Sequence, residues 1–310
     1  MKPHPRLRAL AIALLLGVIG VVALGVVWPE WALRAEYARL RYLADAQVRR
    51  VSVDDHAVQL LEAGEGRPVL LLHGFTGMKE NFLVLMPHLS ATHRLIAPDL
   101  PGWGDSTRRD GADYGYAAQA DRVARLIDVL GIGPVDVVGH SMGGGIAAVL
   151  AARHPQHVRR LVLMDAGGVR FRDNAFGQAV LRGENPFAVR DGDDLARYMA
   201  LLFDAPPYIP WPADSALIAR RVRDAQFEQH VLDSIGRGAD AFLPGAEAAR
   251  VTAPTLLLWC RHDRVIDASA AAIYAAALRD SRTVLLDGCS HMPLMEQPTD
   301  TARALKEFLQ

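Results

Sequence analysis

The chain has 310 residues, 51% hydrophobic and 22% charged, enough for one large core and unlike the composition of a disordered protein. Its 34 basic and 35 acidic side chains leave a formal net charge of −1, so no basic surface is on offer to nucleic acid. Two cysteines, Cys260 and Cys289, are too few for a disulfide scaffold or a metal cluster. Two free thiols are the expected state; a single bond between neighbouring loops is the alternative.

Ala9 to Trp28 carries no charged side chain and is rich in Leu, Val, Ile and Ala. As a helix this run covers about 30 Å, the thickness of a bilayer's hydrocarbon core. Lys2, Arg6 and Arg8 precede it, the charge order of a secretory signal or a signal anchor. Its length favours an uncleaved membrane anchor over residues 1–28. Cleavage near Ala23-Leu24-Gly25, giving a secreted or periplasmic protein, is the alternative. Arg34, Arg39 and Arg41 nearly balance the positives before the run and leave the orientation open.

Residues 29–46 read as a juxtamembrane helix with Trp31, Leu33, Tyr37 and Leu40 inward. Residues 47–62 read as two strands around a turn at Asp54-Asp55. Val69 to Leu72 is then apolar at every position, as expected of a strand buried on both faces of a parallel sheet. The same signature recurs at 95–97, 135–138, 161–164, 255–259 and 283–286, with helical stretches such as 116–130 and 142–153 between. Strand–helix alternation of this kind predicts a mostly parallel, doubly wound α/β sheet. The interval from Met164 to Thr255, roughly ninety residues, breaks the rhythm and is too long for a loop. It carries helical patterns, several prolines and the aromatics Phe171, Phe176, Phe187, Phe203, Tyr208, Trp211 and Phe227, and reads as a helical cap. The expected division is a core of 47–167 and 251–310 with a cap of 168–250.

Gly139-His140-Ser141-Met142-Gly143 stands directly between a predicted strand and a predicted helix. A turn that sharp strains the serine backbone and leaves no room for side chains two residues away. The following helix N-terminus presents free N–H groups to developing negative charge. Serine needs a base to be a nucleophile at neutral pH. Of 11 histidines, His291 is best placed, after the last predicted strand. Asp263, following the strand at 255–259, is the preferred acid, and Asp165, at the end of the preceding strand, is its rival. Two aimed N–H donors are required for a tetrahedral oxyanion. Met142, next to the nucleophile, and Phe75, in the loop His73-Gly74-Phe75-Thr76-Gly77, are the expected donors. His73 is expected to order that loop, and Asp99 to Ser106 to form scaffold.

His73-Gly74-Phe75, Gly139 to Gly144, Asp263 and His291 together resemble the α/β-hydrolase superfamily over roughly residues 48–310. A closer likeness is to cold-adapted bacterial lipases and to the membrane-anchored monoacylglycerol lipase of the animal α/β-hydrolase-domain proteins. It rests on the anchor, on Lys79-Glu80-Asn81-Phe82, and on Glu184-Asn185-Pro186-Phe187 with Pro206-Pro207-Tyr208. The resemblance implies an eight-stranded sheet and a cofactor-independent serine triad cleaving acylglycerols and related esters. Cys260 departs from the glycine common at its position. A carbon–carbon bond hydrolase, a perhydrolase and a non-catalytic membrane-anchored binding protein remain as alternatives. No nucleotide-binding glycine motif and no metal-ligand spacing occurs, so neither cofactor nor metal is expected.

Overall fold

The computed structural model describes residues 5–310; Lys2 lies outside the described residues, as does the side chain of Arg8. Helix α1 (Pro5–Val27) includes a stretch, Ala9–Val27, long and apolar enough to cross a membrane. Its aliphatic side chains face outward, Leu14 and Leu16 each 63% exposed and Val26 70%. Each large aliphatic side chain left in water forfeits about 1.5–3 kcal/mol of burial, so the helix requires an apolar surrounding that the rest of the chain does not supply. Helix α2 (Glu30–Leu43) follows. It buries Leu33 and half-buries Trp31, Tyr37 and Leu40, while Glu30–Arg34 and Glu36–Arg39 pairs line its outer face.

Strands β1 (Gln47–Val53) and β2 (His56–Ala63) form a hairpin about Asp54-Asp55. After them come β3 (Arg67–Leu72), α3 (Met86–Leu89), β4 (His93–Pro98), α4 (Tyr116–Leu130) and β5 (Val135–His140). Helix α5 (Met142–Arg153) and strand β6 (Val158–Met164) complete the first half. Between β6 and the next strand lie α6 (Ala175–Leu181), α7 (Gly192–Leu202), α8 (Ala213–Arg237) and α9 (Leu243–Glu247), with no strand among the described residues of that interval. The chain closes with β7 (Thr255–Cys260), α10 (Ser269–Ala277), β8 (Ser281–Leu286), α11 (Pro293–Glu296) and α12 (Pro298–Leu309).

The eight strands form one sheet in the order β1-β2-β4-β3-β5-β6-β7-β8. The β1–β2 and β2–β4 pairs are antiparallel and the rest parallel. The apolar runs in β3, β5, β6 and β7 are buried, as a central parallel strand covered on both faces requires. Strand β8 differs from expectation. It is the sheet's edge, and Arg282, Thr283 and Leu285 are exposed, so its apolar run covers one face only.

The free thiols expected at Cys260 and Cys289 are a second correction: the structure bonds them, with Cα atoms 5.5 Å apart. The reason is register. Cys260 ends β7 opposite Leu286 of β8, and the left-handed Gly288 (φ +73°) folds the chain back so that Cys289 returns over Cys260.

Candidate active site

The turn from β5 into α5 places Ser141 at φ 53°, ψ −117°, outside the regions a side-chain-bearing residue ordinarily occupies. Neighbouring backbone leaves no alternative. A Cβ on Gly139 would stand 2.3 Å from the Gly143 carbonyl oxygen, and one on Gly143 would stand 2.3 Å from that of Leu72. The strain is held by hydrogen bonds: Ser141 N–H donates to the Met164 carbonyl at 2.9 Å, and the Ser141 carbonyl accepts from Gly144, Gly145 and Gly167. Its hydroxyl is thereby turned away from the sheet.

Strands β7 and β8, parallel to β5, bring the partners to the same C-terminal end of the sheet. His291 Nδ1 lies 2.8 Å from Asp263 Oδ2, and Nε2 lies 2.9 Å from Ser141 Oγ. A carboxylate only accepts, so Nδ1 carries the proton and Nε2 is free to accept from the serine hydroxyl. Asp263 Oδ1 accepts from the Val265 and Ile266 amides at 2.7 and 3.0 Å. The His291 backbone is fixed from two sides, donating to the Leu202 carbonyl at 2.9 Å and accepting from His140 Nε2 at 2.7 Å. The Cys260–Cys289 bond ties the loop carrying Asp263 to the loop carrying His291. All three side chains are buried, and burial holds the imidazole below its ordinary pKa, as a neutral base.

Asp165 lies beside this cluster rather than in it. Its Oδ1 accepts from the Cys260 amide at 2.8 Å, and its other oxygen has no partner among the described residues. Burial and then the neighbouring Asp263 charge push the Asp165 carboxyl well above the usual range. Burial raises Asp263 as well, but its two backbone N–H donors oppose that. The single negative charge belongs on Asp263, which collects three N–H donors to Asp165's one.

The loop after β3 passes close over the serine: a Cβ on Gly74 would meet Ser141 Cβ at 2.9 Å. Phe75 follows directly, and Met142 is the first residue of α5. No backbone hydrogen bond among the described residues uses either amide. His73 orders the loop, accepting from the Leu100 amide at Nε2 (3.0 Å) while Nδ1 donates to the Gly74 carbonyl at 2.8 Å. Lys79, quoted above only for the family likeness and given no role there, is buried. Its Nζ donates to Asp99 at 2.8 Å and Asp105 at 2.7 Å, fastening this loop to the one after β4.

Two apolar chambers meet at Ser141. One, about 200 Å³, is walled by Phe171, Phe176, Phe187 and Ile235. The other, about 680 Å³, runs out past His291 between Trp31 and Leu33 of α2 and the segment Pro207 to Pro210. Phe75 and Phe187 line both. Trp211, directly after that segment, closes on Gly25 of α1.

A family model described as alpha/beta hydrolase fold matches residues 67–298. The chain belongs to that family. Monoacylglycerol lipase ABHD6 of Rattus norvegicus is 27% identical over 307 residues, spanning 94% of this chain and 90% of that protein. Lipase 3 of Moraxella sp. (strain TA144) is 30% identical over 247 residues, 78% and 77% of the two. The crystal structure of a membrane phospholipase A, described as a novel bacterial virulence factor, matches with TM-score 0.88 and 34% identity over 98% of both chains. The kinship read from the motifs is borne out, and this α/β hydrolase has lipases among its relatives.

Proposed function

We propose that the protein is a serine carboxylic-ester hydrolase acting on lipid esters of the monoacylglycerol kind, with Ser141 as nucleophile, His291 as base and Asp263 as acid. One observation carries this reading: a Ser141–His291–Asp263 hydrogen-bond relay opens into two apolar chambers that meet at the serine. Ser141 Oγ attacks the ester carbonyl carbon as its proton passes to His291 Nε2, and the Phe75 and Met142 amides receive the oxyanion. The imidazolium returns the proton to the departing alcohol, leaving an acyl-serine. Water then repeats the two steps and frees the fatty acid. The helices of 168–250 act as the cap, its phenylalanines forming the wall against which the chain lies.

Turnover of p-nitrophenyl esters from acetate to palmitate by the full chain in detergent checks this reading. A maximum at a medium or long acyl chain is expected. A folded protein with no turnover on any of them would overturn it.

The apolar α1 serves in this reading as an uncleaved anchor, and the bonded cysteine pair supports a catalytic part on the oxidising side of the membrane, since disulfides persist in oxidising compartments. Carbonate-washed membranes should retain the chain at its unprocessed mass, with both cysteines refractory to alkylation until reduced. Release of a shortened chain would mean a cleaved signal, and free thiols in the native protein would remove the basis for the orientation.

A further inference from the structure

A third cavity, about 510 Å³ and polar, adjoins the larger apolar chamber. The two share Tyr37, Thr76, Gly77, Met78, Arg220 and Arg221, so the segment after Phe75 is their common wall. Every carboxylate lining the polar cavity already has a cation. Glu30 faces Arg34 at 3.2 Å, and Lys79 serves Glu80 and Asp105 at 3.2 and 2.7 Å. Asp224 is held by Arg108 and Arg223, each at 3.0 Å, and Glu228 by Arg221 at 2.9 Å. Burial pushes the Glu228 carboxyl up to about 7, which removes part of its charge near neutrality.

Arg220 is the exception. Among the described residues its guanidinium makes no ion pair, and its one hydrogen bond goes to the weak acceptor Met78 Sδ at 3.3 Å. The Tyr37 hydroxyl, on the same shared wall, forms no hydrogen bond among the described residues, and burial keeps it protonated. A cavity whose acids are matched, with one spare guanidinium and one spare hydroxyl, is built for an anion. Its location indicates the source. Glu30, Arg34, Tyr37 and Arg41 bring one face of α2 into the wall, and α2 begins just after the apolar α1 ends, where bilayer headgroups lie. Trp28 and Trp211 (48% and 45% exposed) and Tyr208 (89%) stand on the same side, the residues of a membrane interface.

We propose that this cavity is a subsite for the phosphate of a lipid headgroup, with Arg220 as the residue that selects for it. The idea rests on the ester-hydrolase reading, since the headgroup here would leave the same lipid's ester in the adjoining chamber with Ser141. It narrows those lipid esters to ones whose headgroup carries a phosphate.

Binding separates this idea from that reading. The full chain carrying Ser141→Ala in neutral detergent is titrated with monohexanoyl-glycerophosphoglycerol and with neutral monohexanoylglycerol, then again with Arg220→Ala or Arg220→Lys added. The ratio of the two dissociation constants should fall about tenfold in Arg220→Ala, the scale of a lost charge-assisted hydrogen bond, and recover in part in Arg220→Lys. High salt should weaken the preference in the parent protein. A change in the ratio below twofold would overturn the subsite. Inorganic phosphate displacing neither ligand at millimolar concentration is expected. Phosphate binding as tightly as the lipid would reassign the site to the free ion. Intact discrimination in a protein whose wild type hydrolyses neither ester would sink the hydrolase reading and leave the subsite standing.

Discussion

Ser141→Ala should abolish ester turnover, by about 10⁶-fold in kcat, without loosening the fold. The relay depends on one oxygen. Its removal leaves His291 accepting from nothing, and the Phe75 and Met142 amides have no oxyanion to receive. The cost to folding is small, because alanine keeps the Cβ and the strained φ of 53° while losing one hydrogen bond of net worth about 1 kcal/mol. Thermal unfolding should therefore shift by only a few degrees while p-nitrophenyl ester hydrolysis falls to background. Ser141→Gly would be inactive too, yet more stable, since glycine relieves strain of about 1–3 kcal/mol at that backbone position. Residual turnover within tenfold of wild type in either variant would show that another group is the nucleophile.

The candidates Ser141, Asp263 and His291 could be picked out because each follows a predicted strand, which in the structure ends one residue before Ser141, three before Asp263 and five before His291. Parallel strands then carry three distant segments to one end of the sheet. The antiparallel start and the helical interval before Thr255 were legible for the same local reasons. What escaped depends on packing between segments. Lys79 entered only through a motif likeness, and its ion pairs come from the side-by-side placement of β3 and β4, which buries it against Asp99 and Asp105. The state of the two cysteines hung on how a three-residue turn after β8 folds back, and the exposure of β8 on which strand ends the sheet. Arg220, one of several arginines along a long amphipathic helix, is distinguished only by forming no ion pair among the described residues. A sequence cannot state that of a residue whose potential partners lie on α2 and in two loops.

The carboxyl pair beneath His291 gives the sharper test of the relay. Asp263→Asn should lower kcat by about 10⁴-fold, whereas Asp165→Asn should stay within a few-fold of wild type. The asymmetry follows from where the charge resides. Asparagine at 263 can still accept from Val265 and Ile266 at Oδ1, but it then turns an NH₂ group toward His291 Nδ1. The imidazole must answer with a bare Nδ1, so its proton moves to Nε2, the atom that should accept from Ser141. The base is present in the wrong tautomer, and no negative charge supports the imidazolium. At 165 the same substitution changes little. A carboxyl that burial and the adjacent Asp263 charge keep protonated already resembles an amide, with one oxygen accepting from the Cys260 amide and a donor on the other side. Asp165→Ala should cost more than Asp165→Asn, because it leaves the Cys260 N–H buried without a partner at the end of β7, about 1–3 kcal/mol in stability. Steady-state kinetics and thermal melts of the three variants decide the matter. Near-normal activity in Asp263→Asn with collapse in Asp165→Asn would move the acid to the end of β6 and require His291 to turn toward it.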